Sequence, residues 1–112
     1  MVTTKQIKAT LRDLGIRPNL NGFEYLTDAI GIIADDPSTK MKALYAHLAK
    51  CYDTTPAGVE RGMRHAIHKG METGDPVLYT QLFGYTYNAG DYITVSLFIH
   101  TLADHFGEED EA

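Results

Sequence analysis

The stretch LAKCYDTTPAGVERGMRHAI, residues 48–67, decides how the rest of the chain is read. Leu48 and Ala49 close one apolar-periodic segment, and Tyr52-Asp53-Thr54 interrupts it. Thr55-Pro56 then opens another, with a hydroxyl able to cap a helix followed by proline at the first helical position. Val59, Met63, Ala66, Ile67 and Gly70 recur at helical spacing and mark the buried face of a helix over about 56–71. Ala49 is small where two helices must approach, and Val59, ten residues on, supplies an apolar anchor for their shared core. A break of about four residues suits two helices meeting at a steep angle, so the stretch reads as a helix-turn-helix.

With that stripe turned inward, Glu60, Arg61, Arg64, His65, His68 and Lys69 point away from the core. In a helix-turn-helix the second helix enters the major groove of DNA, and its N-terminal half meets base edges. Arginine can grip guanine through two parallel hydrogen bonds, and glutamate can accept from the amino group of cytosine. Histidine and lysine suit phosphate oxygens, which fix position without reading sequence. The same spacing allows a plainer outcome, since Glu60 and Arg64 stand at i and i+4 and can form a surface ion pair instead.

Working outward, punctuation divides the chain into about six helices of an all-α domain. The first covers about 4–14, with Ile7, Leu11 and Leu14 on one face, and stops at Gly15. Residues 17–22 read as a loop, and a second helix over about 22–34 places Phe23, Leu26, Ile30 and Ile33 together. The third helix follows Ser38, with Met41, Leu44, Tyr45 and Leu48 on its apolar stripe. After the fourth, Gly74-Asp75-Pro76 restarts a short fifth helix closed by Gly84. Ile93 to Leu97 alternate as a strand does, and Asn88-Ala89-Gly90-Asp91 suits a hairpin turn. Phe98, Leu102 and Phe106 recur every four residues, so the expectation is extended loop over 85–93 and helix over 94–106, ending at Gly107.

The chain has 112 residues, and its formal net charge of −5 from 10 Lys+Arg against 15 Asp+Glu argues, taken whole, against a nucleic-acid partner. The placement of the charges points the other way. Glu108, Glu109, Asp110 and Glu111 belong to an acidic tail, 108–112, expected to be a disordered, solubilising end. Without those four the charge is −1, and Ser38 to Gly70 holds six bases against two acids, a local +4. One domain over 1–107 fits this length. No apolar run approaches a membrane span, and Met1 to Lys5 lack the apolar stretch of a secretion signal. A single cysteine cannot form an internal disulfide, which points to the cytoplasm.

Leu48-Ala49-Lys50, Thr54-Thr55, Val59-Glu60-Arg61 and Arg64-His65-Ala66-Ile67 together resemble the C-terminal effector domain of the sporulation-initiation response regulator, the stage zero sporulation protein A family. Leu14-Gly15-Ile16, Gly22-Phe23-Glu24-Tyr25-Leu26, Ala29-Ile30, Leu82 to Thr86, Phe98-Ile99 and Ala103-Asp104 extend the likeness in the same order. The resemblance implies an all-helical domain that binds a promoter box in double-stranded DNA as a homodimer or tandem pair. It also implies contact with RNA polymerase, through its sigma factor, to regulate transcription. On that pattern Glu60, Arg61 and Arg64 read bases and His65 contacts phosphate; Thr55, His68 and Lys69 are expected as further phosphate contacts from their chemistry and position. Ala57-Gly58 depart from the family's Ser-Arg pair, and Gly62 replaces a better helix former at a cost of up to about 1 kcal/mol. No phospho-acceptor receiver domain is read ahead of the helices.

Other chemistries fare less well. His47 and Cys51 stand at i and i+4, which is metal-ligand spacing, but no third convergent ligand is evident and Cys51 reads as a small buried hydrophobe. His100 and His105 bracket Asp104 at spacings that do not gather them. With no phosphate loop, nucleophile elbow or paired carboxylates, neither an enzyme nor a cofactor or metal site is expected. The remaining competitor is a helical protein–protein interaction module that has lost DNA binding. Tyr45, Tyr52, Tyr79, Tyr85, Tyr87 and Tyr92 supply the aromatic load for it, and Gly58 and the acidic tail favour it.

Overall fold

The structure, a computed structural model, describes residues 2–84 and 91–111, with side chains through Gly107. Its described residues form six helices and no strand: α1 (Thr4–Asp13), α2 (Asn21–Asp35), α3 (Met41–Cys51), α4 (Pro56–Thr73), α5 (Pro76–Phe83) and α6 (Val95–Glu111). The all-α expectation holds. Residues 85–90 of the expected extended loop, Tyr85 and Tyr87 among them, lie outside the described residues.

Side-chain caps explain where α1, α4 and α5 start. Thr3 and Gln6 form a reciprocal capping box at α1, the Thr3 hydroxyl accepting from the Gln6 amide and the Gln6 side chain accepting from the Thr3 amide. Thr55 caps α4 by accepting from the Gly58 amide at 3.0 Å, with Pro56 next to it. Asp75 and Pro76 repeat the device at α5. Gly84, in the left-handed region at φ 81°, closes α5 as expected. The last helix departs from expectation. It does not stop at Gly107 but continues to Glu111, because Gly107 keeps a helical backbone rather than the left-handed conformation that Gly84 takes at the end of α5.

α2 lies at the centre. It packs most extensively on α4 and α6, then on α1 and α3, and buries Phe23, Tyr25, Leu26, Ala29, Ile30 and Ile33 around more than one face. Thr27 is buried there too, and its hydroxyl donates to the Phe23 carbonyl at 2.7 Å. The inward stripe of α4 is fully enclosed: Val59, Met63, Ala66 and Ile67 are all 0% exposed. On α3, Leu44 and Leu48 are buried whereas Met41 and Tyr45 are only partly so. Phe83 stacks on Phe98 at 5.5 Å and ties α5 to α6.

Glycines set two close approaches. Gly22 of α2 and Gly62 of α4 face each other: a Cβ on Gly22 would collide with the Gly62 carbonyl, and one on Gly62 would come within 2.9 Å of the Tyr25 ring. Gly62 is therefore a packing requirement, where local propensity counts only a loss. The second approach joins the α1–α2 loop to the junction of α4 and α5. Gly15, at φ 84°, lies against Gly74, and the buried Tyr79 hydroxyl donates to the Leu14 carbonyl at 2.7 Å. Burial pushes the Tyr79 phenol well above its usual pKa range.

Among the described residues no helix is long and apolar enough to cross a membrane.

Candidate nucleic-acid interface

The turn between α3 and α4 is braced from α2. The Ala49 carbonyl accepts from the Thr54 amide at 2.9 Å, and Asp53 takes the left-handed conformation at φ 53°. Tyr52 reaches back across the turn, its hydroxyl donating to the Asp28 carboxylate and its ring meeting Tyr25 edge-on at 5.0 Å. Tyr25 in turn fills the notch left by Gly62. A chain of contacts from Asp28 through Tyr52 and Tyr25 thus fixes how α4 leans on α2. Desolvation, followed by the bond to Asp28, raises the Tyr52 phenol well above its ordinary pKa.

Opposite the buried stripe, Arg61, Arg64, His65, His68 and Lys69 are exposed, and Glu60 is half-buried on the flank toward α3. Burial, and then the nearby Glu60 carboxylate, raise the pKa of the Tyr45 hydroxyl on that flank. The side chains are not equally free. Arg64 Nη1 pairs with Glu60 Oε1 at 3.2 Å, realising the i,i+4 ion pair. Glu72 holds His68 at 3.4 Å and Lys69 at 3.6 Å, the former an ion pair only when the histidine is protonated. Arg61 makes no ion pair among the described residues and stands clear at the middle of the outward face. The Thr55 oxygen is engaged as the α4 cap, which leaves its proton available to donate.

One cation joins this face from far away in sequence. Arg17, on the α1–α2 loop, lines a groove of about 220 Å³ with His65 and Lys69. Its only local signal is an arginine in a loop before Pro18, well outside the basic third of the chain.

Other candidates separate. Cys51 is exposed rather than buried, because α3 turns it outward beside His47, whose Nε2 lies 3.6 Å from its sulfur. Among the described residues no group of three His, Cys, Asp or Glu is placed to hold a metal. His100 Nδ1 donates to the Ser96 carbonyl at 2.8 Å, while the His105 ring meets Phe106 edge-on at 5.4 Å. Of the tyrosines, Tyr79 is buried at 1% exposure and serves the core rather than an interface.

A helix-turn-helix-like pair with a basic outward helix is thus embedded in a six-helix domain. The sequence model of the family described as sporulation initiation factor Spo0A C terminal matches residues 7–106, which take in parts of all six helices. The chain belongs to that family. Membership of the Spo0A C-terminal family makes this a DNA-binding effector domain of a sporulation regulator, acting in transcription regulation. The Spo0A C-terminal family is one of DNA-binding domains and not of enzymes.

Proposed function

We propose that this domain reads a promoter box in double-stranded DNA by laying α4 in the major groove. Glu60, Arg61 and Arg64 face base edges, and Thr55, His65, His68 and Lys69 hold flanking phosphates. One observation carries this reading: Arg61, exposed and without an ion pair among the described residues, stands on the face of α4 opposite a stripe that is completely buried. A guanidinium held there costs little to redirect and can grip guanine through two parallel hydrogen bonds. Glu60 and Arg64 enter as a pair, so each must exchange its partner for a base or phosphate on binding. The domain acts in the cytoplasm as a homodimer or tandem pair on DNA and contacts RNA polymerase through its sigma factor.

Fluorescence anisotropy on a box duplex across a salt series tests this. Affinity should fall with a negative log–log slope against salt. Arg61→Ala should cost about 1–3 kcal/mol, roughly five- to 150-fold, on the box while leaving a scrambled duplex nearly unaffected. The Glu60–Arg64 ion pair favours the alternative, a helical interaction module whose charges are satisfied internally. Absence of binding at about 50 mM salt, or indifference to Arg61→Ala, would put that module in its place.

A further inference from the structure

We propose that the groove between α4 and the α1–α2 loop is a seat for a DNA backbone phosphate, with Arg17 as its principal cation. The inference rests on the DNA-reading role of α4 and adds to it a contact from a separate part of the chain.

Gly15, Arg17, Leu20, His65, Lys69 and Thr73 line this groove of about 220 Å³. Three of these carry or can carry positive charge, and they come from two elements that only the fold brings together. Arg17 is exposed and makes no ion pair among the described residues. Its backbone is anchored on both sides, by Ile16 at 1% exposure and by the fixed φ of Pro18, so only the side chain is left to order when the guanidinium engages. A planar guanidinium suits two oxygens of one phosphate.

The groove also holds one acid among its described lining residues, Glu72, whose carboxylate lies 3.6 Å from Lys69. That carboxylate must turn away, toward His68 at 3.4 Å, for a phosphate to take its place against Lys69. Such an exposed pair is weak and is readily exchanged for a phosphate. Position along α4 fits as well. At about 1.5 Å rise per residue, Lys69 lies about 12 Å along the axis from Arg61, a length comparable to the width of the major groove. With Arg61 at base edges, the second half of α4 and the loop beside it reach the phosphate wall.

The test uses the full chain, the box duplex and a scrambled duplex, each across a salt series. Arg17→Ala should weaken both duplexes alike, about eightfold at 0.1 M salt, and lower the magnitude of the log–log salt slope by about 0.9. Arg17→Lys should restore the slope, because the charge returns. Single methylphosphonate replacements along the box should weaken the parent protein at an edge phosphate and cause no further loss there in Arg17→Ala. If Arg61→Ala abolishes box preference while Arg17→Ala leaves affinity and slope unchanged, the phosphate seat is overturned and the reading of α4 stands. If the parent protein binds neither duplex, both fall together.

Discussion

At Gly62 a local rule and a distant neighbour disagree. Glycine inside a helix costs up to about 1 kcal/mol relative to alanine, so on sequence alone the position reads as a weakness of α4. The Tyr25 ring removes that option, since an added methyl would come within 2.9 Å of it. Gly22 is tighter still, because its Cβ would meet the Gly62 backbone, which cannot step aside as a side chain can. We therefore expect Gly62→Ala to destabilise the domain by about 1–2 kcal/mol and Gly22→Ala by more, in urea unfolding followed by circular dichroism. A gain in stability at Gly62 would show that Tyr25 yields and that propensity prevails. Neither glycine's role is legible in the sequence, because the contacts lie tens of residues apart and glycine has no side chain to signal them. Cys51 departs from expectation for a related reason: residue type favours burial, but its place on the last turn of α3 decides exposure.

Helices whose stripes recur at regular spacing are legible, and α4 most of all. Each of its inward residues named from spacing is buried, because a helix that packs on a central neighbour must present one continuous apolar face. Ends are less legible. Gly107 resembles a stop signal, yet α6 passes through it to Glu111, since a glycine ends a helix only where the chain must turn. The brace across the α3–α4 turn is hidden too, because Tyr52 and Asp28 are separated by the whole of α3. Tyr52→Phe removes that bond, and we expect a loss of about 1 kcal/mol in unfolding free energy at neutral pH. The tyrosine's pKa is raised in the folded state, so its stabilisation is present below about pH 10 and is lost as pH rises past that point. Stability of the parent protein should therefore fall on the alkaline side, and Tyr52→Phe should flatten part of that fall. Tyr79 and Tyr45, raised in the same direction, keep the remainder. A pH profile unchanged by the substitution would show that the hydroxyl does not hold the turn.

For the molecule as a whole, charge placement matters more than its sum. Net charge is −5, yet one face gathers the arginines of α4, Lys69 and Arg17, while four of the acids stand at 108–111. The basic third is visible along the chain but Arg17 is not, because its loop joins that face only through tertiary packing, of α2 on α4 and of Gly15 on Gly74. Removing Glu108 to Glu111 should tighten binding to a scrambled duplex, as the acids no longer compete for the basic face, with the gain shrinking as salt rises. Equal affinity at low salt would rule that competition out. The junction at Leu14 has a wider consequence. Tyr79 and the Gly15–Gly74 approach bolt the loop that carries Arg17 to the far end of α4, so the spacing between Arg61 and Arg17 is set by the body of the protein. On DNA the two ends would act as the jaws of a caliper of fixed opening, and the duplex must do the adjusting. Boxes that flex easily between the touched positions should bind more tightly than stiff ones of identical contacts, giving a preference at base pairs that no side chain reaches.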